Sequence, residues 1–551
     1  MSNIMRVLFL LFMTTFVIIV QAQTLDWVKR IGGPGWDAAY SLTFDKSYNI
    51  ILTGSFRDTV DFDPGSNSSY LYADSVNYAF VAKFDPVGNF LFAKSYGGPG
   101  YAGGSCVTID ETGNIYISGT FVDSVNFDNG PGSFYQYSYG LFDFFILKLD
   151  SLGNFRWVKT LGGAGLDNAY SLAVNNKGDL FVTGEFSESV DFDPGAGVEI
   201  RISSGYEDIF LVCLDTAGNF QWVETTGNSL HDKGLSVTTD ADGNPLLIGG
   251  FSETVDFNPG SGITNLTSTG WFDMFIQKLD TSGHLLWIKR CGGTGMVFGD
   301  DIQLDYLGNI ITTGSFNFTA DFDPDTSITS LISHGNDDIF ILKLSPSGEL
   351  IWAKCIGGTI WDMGVNLAID SANNIYLTGL FYDSVDFDPG VAVHMVHSSL
   401  YENIFILKLD SAGNFKWVRS MGGEGSDRGL SIDVDKSGNV YTCGWFEGSV
   451  DFNPGSGSAN FLSNGDKDIF IQKLVPCGSF DTTLIQNGIN LTATISGATY
   501  QWINCLNGCV AIQGATWQSF TIELSSQPGL YLMNLKSNGK TIQNSYIVKN
   551  N

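Results

Sequence analysis

The chain has 551 residues and carries 58 acidic against 28 basic side chains, a formal net charge of -30. A surface this acidic repels a polyanion, and no Lys/Arg-rich stripe interrupts it, so nucleic acid is excluded as a partner. Length alone would divide the chain into several domains, but a strict internal period overrides that reading.

Residues 1–22 read as a secretory signal peptide, with Arg6 as the positive start, Val7 to Val20 as the apolar run and Val20-Gln21-Ala22 as the cleavage site. The run is short for a membrane span, so no transmembrane anchor is expected after cleavage. The next segment, Leu25-Asp26-Trp27-Val28-Lys29, has the alternation of a strand but no partner strand before it.

From there one pattern returns every 65 residues. The pentapeptide Asp61-Phe62-Asp63-Pro64-Gly65 recurs from Asn126, Asp191, Asp256, Asp321, Asp386 and Asp451, and Trp27, Phe92, Trp157, Trp222, Trp287, Trp352 and Trp417 keep the same spacing. In the sixth unit Asn366–Asp370 alternates polar and apolar residues, and Asp370–Asn374 is turn chemistry. Ile375–Gly379 is β-branched and aromatic; a long connection then carries Asp386-Phe387-Asp388-Pro389-Gly390 to a third strand, Ile404–Leu409. A second turn leads into Phe415–Arg419, the fourth strand. Each unit therefore reads as one four-stranded antiparallel sheet. Seven such units arranged radially make an all-β, seven-bladed β-propeller over 23–476. The last unit lacks a fourth strand after Asp468–Leu474, and the N-terminal strand is expected to supply it and close the ring.

The runs from Val385 to Gly390, from Asn403 to Asn414 and Trp417-Val418-Arg419 resemble the SBBP-type β-propeller repeats of secreted and surface bacterial proteins. That resemblance implies a fold and an extracellular or outer-surface address, and no reaction. The Asp-x-x-Gly-Asn-x-x-Trp run is similar to the tryptophan-docking motif of quinoprotein propellers, which implies packing rather than redox chemistry. Residues 477–551 break the period. Their short strand-like runs, Ala498–Trp502 and Gly529–Leu532, resemble Ig-like modules, and the Asn538-Gly539 hairpin and terminal Ile547-Val548-Lys549 resemble type IX secretion sorting domains. A small C-terminal β-sandwich-like domain is expected there.

Eight cysteines show no repeated spacing. Those in the array read as small buried hydrophobes, and Cys505 with Cys509 as the pair best placed for a disulfide.

Function is expected on the face that carries the long connections and the Gly-Gly-x-Gly-x-Asp crossovers, since those loops are the longest and most variable. One crossover position varies freely, and it contributes Trp36, Tyr101, His231, Met296 and Trp361 as candidate ligand contacts. The partner expected there is an extracellular glycan or protein, bound by a monomer without catalysis. An extracellular hydrolase or lyase acting on polysaccharide is the alternative, though no nucleophile, metalloprotease or phosphate-loop motif occurs. The paired carboxylates Asp61 and Asp63, Asp191 and Asp193, Asp321 and Asp323, Asp386 and Asp388 suit calcium as a cofactor. Asp-Pro-Gly is equally good turn chemistry, and both readings stand at this point.

Overall fold

The computed structural model describes residues 23–476 apart from Ser75, Asn129, Pro131, 259–261 and Ser456, and beyond 476 only the backbone of strands between 481 and 549. The expected signal peptide and the Cys505/Cys509 pair lie outside the described residues. Among those that are described, every regular element is a β-strand, and no helix is long and apolar enough to cross a membrane.

Thr24–Val475 is one compact unit. Its first repeat pairs Ala38–Phe44 with Ile50–Phe56, that strand with Tyr78–Phe84, and that with Phe90–Tyr96, all antiparallel. The same order of four restarts at Ala102, Asp167, Lys233, Val297 and Asp362. The last set, Asp427–Val434, Val440–Asp451 and Asn460–Pro476, is completed by Gln23–Ile31, which hydrogen-bonds to the Asn460–Pro476 strand. The two strands left without partners by the repeat pattern thus complete one sheet.

The invariant residues have local causes. A register shift between Ala39 and Ser41 pushes the Ala38 carbonyl toward Gly54, where a Cβ would lie 2.0 Å from that oxygen and 2.9 Å from the Phe80 ring. Only glycine fits. Phe56, Phe62 and Phe80 then pack edge-to-face or tilted, with centroids 5.3, 5.0 and 6.4 Å apart, and all three are buried. Phe62 is the aromatic of the repeated pentapeptide, so that loop is plugged into the core. Its burial contributes roughly 1.5–3 kcal/mol, and Phe62→Ala costs about 3–5 kcal/mol once the cavity is counted.

Neighbouring repeats share cores. Ile51 and Val81 cluster with Ile117, Phe121 and Phe145 of the next repeat, and Leu42, Phe56 and Phe80 of the first repeat cluster with Tyr441, Cys443, Ile469 and Ile471 of the last. The tryptophans of the fourth strands dock onto the following turn: Trp157 Nε1 donates to the Thr216 carbonyl at 3.3 Å and Trp222 Nε1 to that of Thr281 at 3.0 Å. The turn glycines, such as Gly88 at φ +81°, take a left-handed conformation and pack against the indole.

The long connection is more ordered than a loop. Thr59–Asp61 pairs with Tyr70–Tyr72, and in the third, fifth and seventh repeats the second and third strands run straight into this ribbon, as in Leu180–Asp191 against Ile200–Leu214. Its alternation buries Val60 and turns Tyr70 and Tyr72 outward.

Separately, Asp481–Ile485, Gly488–Thr492 and Ser519–Ile522 form a three-stranded antiparallel sheet, and Val510–Ala511, Thr499–Asn504, Gly529–Ser537 and Lys540–Lys549 form a four-stranded one.

Candidate functional site

The first strands of the repeats are linked side to side. Position 41 and its 65-residue equivalents carry Ser41, Cys106, Ser171, Ser236, Asp301, Asn366 and Ser431. Ser41 Oγ accepts from Val107 N at 3.2 Å, Ser171 Oγ from Val237 N at 3.1 Å, Asp301 Oδ2 from Leu367 N at 2.9 Å and Asn366 Oδ1 from Ile432 N at 2.8 Å. Cys106 Sγ donates to the Leu172 carbonyl at 3.8 Å and Ser236 Oγ to Asp301 Oδ1 at 2.9 Å. Ser431 Oγ accepts from Leu42 N at 3.1 Å, so the seventh link returns to the first repeat. These strands surround a cavity of about 580 Å³ lined from all seven repeats. Burial lifts the carboxyls of Asp300 to about 7 and Asp301 to about 6.

At one end of these strands lie the crossovers, five of the seven built on a buried aspartate, with Ala102 and Val297 at the equivalent position of the other two. Asp37 Oδ2 accepts from Gly33 N at 2.7 Å and its Oδ1 from Arg57 N at 3.0 Å; Asp167, Asp232, Asp362 and Asp427 make the equivalent pair of bonds. All five are buried. Desolvation outweighs the two donors and raises Asp37, Asp167 and Asp362 to about 7, Asp232 to about 6 and Asp427 to about 8. The residue before each aspartate is the freely varying one, so it stands on a fixed platform.

The crossovers share a face with the long connections. Gly97 bridges to Asn126, Gly163 to Val190 and Gly357 to Asp386. The five candidate contacts occupy separate junctions on this face and do not converge on one another. Trp36 and Trp361 are exposed at 43 % and 48 %. Trp36 lies beneath Lys467, whose Nζ is 4.6 Å from its ring and 3.5 Å from that of Trp445. His231 stacks on Tyr206 at 4.8 Å with the planes 9° apart, and its Nδ1 pairs with Glu207. Met296 is half-buried. Tyr101 is folded against Phe142 at 5.8 Å, and burial raises its hydroxyl to about 12.

A second variable position abuts the first and was missed by sequence reasoning. It holds Val76, Leu141, Tyr206, Trp271, Asn336, Tyr401 and Asp466, just ahead of each third strand. Backbone bonds such as Asp37 N to Lys467 O and Asp232 N to Glu207 O, both 2.8 Å, place it beside the crossover of the next repeat. Trp271 is 76 % exposed, Tyr206 60 %, Leu141 57 % and Tyr401 48 %. The signal was the one that marked the crossovers, free variation inside an otherwise constant repeat.

The repeated carboxylate pairs are used locally. Asp61 Oδ1 accepts from Asp63 N at 3.1 Å and from Ser69 N at 2.7 Å, while Asp63 Oδ1 accepts from Gly65 N at 2.8 Å. Asp191 with Asp193, Asp321 with Asp323 and Asp386 with Asp388 repeat this set. Asn126 makes the same two bonds at 3.2 and 2.8 Å without a charge. The turn bonds therefore need an oxygen and not an anion. Each pair stays in its own loop; Asp191 and Asp193 also border an open cavity of about 660 Å³ with Phe134, Gln136, Tyr139 and Thr160. Among the described residues, three acidic, histidine or cysteine ligand atoms converge in one place, at His334, Asp338 and Cys355, outside these loops.

No family model matches the chain. In an alignment of 497 residues covering 76 % of the chain it is 23 % identical to an uncharacterized WD repeat-containing protein of Acanthamoeba polyphaga mimivirus, and in one of 226 residues covering 38 % of the chain it is 25 % identical to the regulatory protein FlaEY of Caulobacter vibrioides. It spans only 36 % and 24 % of those relatives. The solved structure of Sqt1 from Chaetomium thermophilum overlaps 85 % of this chain and 97 % of its own at 10 % identity, with a TM-score of 0.30, too loose a fit to argue from. The WD-repeat relative agrees with a repetitive all-β architecture.

Proposed function

We propose that Thr24–Val475 is a closed seven-bladed β-propeller that serves a secreted or cell-surface protein as a non-catalytic binding scaffold, taking a glycan or protein ligand on the crossover face. The observation that carries this is the belt of exposed large side chains, Trp36 and Trp361 on the crossovers and Tyr206, Trp271 and Tyr401 beside them. Water-exposed aromatics on a rigid base lose little conformational entropy on binding and offer flat apolar faces to sugar rings or peptide side chains. The linked first strands and the core shared by the first and last repeats support closure. The cavity beside Phe134, Gln136, Tyr139 and Thr160 adds hydrogen-bonding groups to an aromatic wall, the composition of a carbohydrate or peptide subsite.

Residues 477–551 are proposed as an Ig-like or sorting module of the same exported protein. Calcium at the repeated loops would draw on the carboxylate oxygens left over by the turn bonds and be completed by carbonyls and solvent. The hydrolase or lyase alternative finds its support in the central cavity, where Asp300 and Asp301 titrate high enough to act as acids near neutrality. A glycan and peptide array run beside a polysaccharide-turnover screen separates the readings. Binding without turnover is expected, and turnover abolished by Asp300→Asn would replace the scaffold by the enzyme.

A further inference from the structure

In five of the seven repeats position 78 and its equivalents put an aspartate, Asp143, Asp208, Asp273, Asp338 or Asp468, under the first glycine of the crossover that follows, where the first and sixth repeats have Tyr78 and Asn403. A Cβ on Gly357 would lie 2.1 Å from the Asp338 carboxyl carbon, and Gly162, Gly227, Gly292 and Gly32 meet their aspartates the same way. Each of these carboxylates is buried, and each has an Oδ1 without a hydrogen-bond partner. An uncompensated buried carboxylate is costly, and the repeats meet that cost differently. In the fourth repeat Arg290 pairs with Asp273 and also reaches Thr269 Oγ1 at 3.2 Å. In the seventh, Arg30 stands 3.7 Å from Asp468. The second and third repeats place Thr160 and Thr225 where those arginines stand, and burial lifts Asp143 and Asp208 to about 6, as it does Asp468 despite the more distant Arg30.

The fifth repeat differs from all of these. The position of Arg290 and Arg30 is Cys355, and that of Thr269 is His334. His334 Nδ1 is 2.8 Å from Asp338 Oδ2, Cys355 Sγ is 3.4 Å from the same oxygen, and Sγ and Nδ1 are 3.8 Å apart. A tetrahedral zinc with bonds of roughly 2.0–2.3 Å holds such N, O and S ligands roughly 3.3–3.7 Å apart, so the trio closes on an ion after shifts of about half an ångström. The strand ladder sets this geometry: Phe340 pairs with Cys355 and Ile339 with Ile356, which brings the fourth strand beside the entry to the third. The His334 backbone N–H also donates to Asp338 Oδ2 at 2.8 Å, fixing the turn that presents the imidazole. Asp338 is buried while the His334 side chain is 63 % exposed, so an ion can enter from solvent.

We propose that His334, Asp338 and Cys355 bind a divalent cation of the zinc class, with solvent at the fourth position, and that this ion does for Asp338 what the guanidinium groups do for Asp273 and Asp468. An imidazole, a carboxylate and a thiolate select zinc, or cobalt as its spectroscopic substitute, over calcium or magnesium, which take oxygen ligands. The Cys355 thiol proton leaves to solvent as the sulfur–metal bond forms.

The test uses the full-length protein without its leader, equilibrated with zinc and, in parallel, with cobalt. One tightly held equivalent of zinc is expected, and the cobalt form shows a thiolate charge-transfer band with tetrahedral visible bands. Cys355→Ser and His334→Asn each remove those bands and weaken zinc binding by more than the roughly 10–100-fold that loss of an outer partner costs. Cys355→Arg restores the arrangement of the fourth repeat: it folds, melts at least as high as the metal-free parent and gains nothing from zinc. Bands that survive Cys355→Ser, an affinity unchanged in both ligand variants, or no zinc held by the folded wild type would each overturn the assignment.

Discussion

Two rings of seven positions run through this array, and their residue types vary to a similar degree. One holds Ser41, Cys106, Ser171, Ser236, Asp301, Asn366 and Ser431; the other holds Trp36, Tyr101, Leu166, His231, Met296, Trp361 and Ser426. On the inner ring each side chain reaches the next repeat, whichever donor or acceptor does it. On the crossover ring a buried aspartate holds the backbone in five of the seven repeats, and the side chains make no common contact, from Tyr101 against Phe142 to the exposed Trp361. Variation within a repeat therefore has two meanings: several residues able to make one bond, or no common bond to be made. Only the second marks a surface available to a ligand.

Deleting residues 24–30 breaks the repeat array most severely. The Asn460–Pro476 strand loses its neighbour and the first and last repeats lose part of their common core, so loss of soluble protein is expected by gel filtration. A truncation that melts like the parent would remove the closing role of that strand.

Asp301→Ala is the next largest effect. Asp301 accepts from Ile302 N, Leu367 N, Ser236 Oγ and Asn366 Nδ2, and truncation leaves two buried N–H groups unpaired, a loss of about 3 kcal/mol. Asp301→Ser keeps the hydroxyl acceptor used at three of the sister positions, Ser41, Ser171 and Ser431, and is expected to lie within about 1 kcal/mol of the parent. Urea melts that rank the two variants equally would deny the inner ring its role.

The platform aspartates give the crossover region a pH signature. Asp37, Asp167 and Asp427 have folded values of about 7, 7 and 8, above the ordinary 3.8 of an aspartate. The native state therefore binds protons that the unfolded chain has released, and the stability these groups contribute is full below about pH 4 and is lost as pH rises through 7–8. Melting temperature should fall between pH 5 and 8.5, and Asp427→Asn should flatten part of the slope. The turn aspartates act oppositely and at lower pH: hydrogen bonds hold Asp110 near 2 and Asp45 and Asp215 below their ordinary value, and their contribution is lost as pH drops through those values. Calorimetry across this range checks both signs.

Much of this was legible in the sequence. The period, the strand order and the Gly54 and Phe80 series follow from packing demands that repeat at each junction. The inner ring was not legible, because a hydroxyl, thiol, amide and carboxylate are unlike as letters and alike as hydrogen-bonding groups. Tyr206, Trp271 and Tyr401 were hidden beside the strongly patterned third strand. The role of Cys355 was hidden because its partner His334 lies 21 residues away and only the ladder joins them; it reads as a small buried hydrophobe until its neighbours are seen. Asn126, standing where other repeats have aspartate, already hinted that the loop carboxylates serve turns.

The smallest effect is expected at those loops. Their turn bonds form within the chain, so in the Cys355→Arg variant, which has no zinc to lose, chelation should leave the melting temperature nearly unchanged, within about 1 °C on the scale where 1 kcal/mol moves a large domain by about 2–4 °C. A clear fall restored by calcium and not by magnesium would assign the loops to the ion.

The central claim is most directly tested by array binding of the parent against a Trp271→Ala/Trp361→Ala double variant and against Asp301→Ser. Surface truncations of this kind leave stability within about 0.5 kcal/mol per site. The account predicts a glycan or peptide ligand that the parent and Asp301→Ser bind alike and that the double variant loses. Equal binding by all three proteins, or no ligand for the parent on either array, would contradict it.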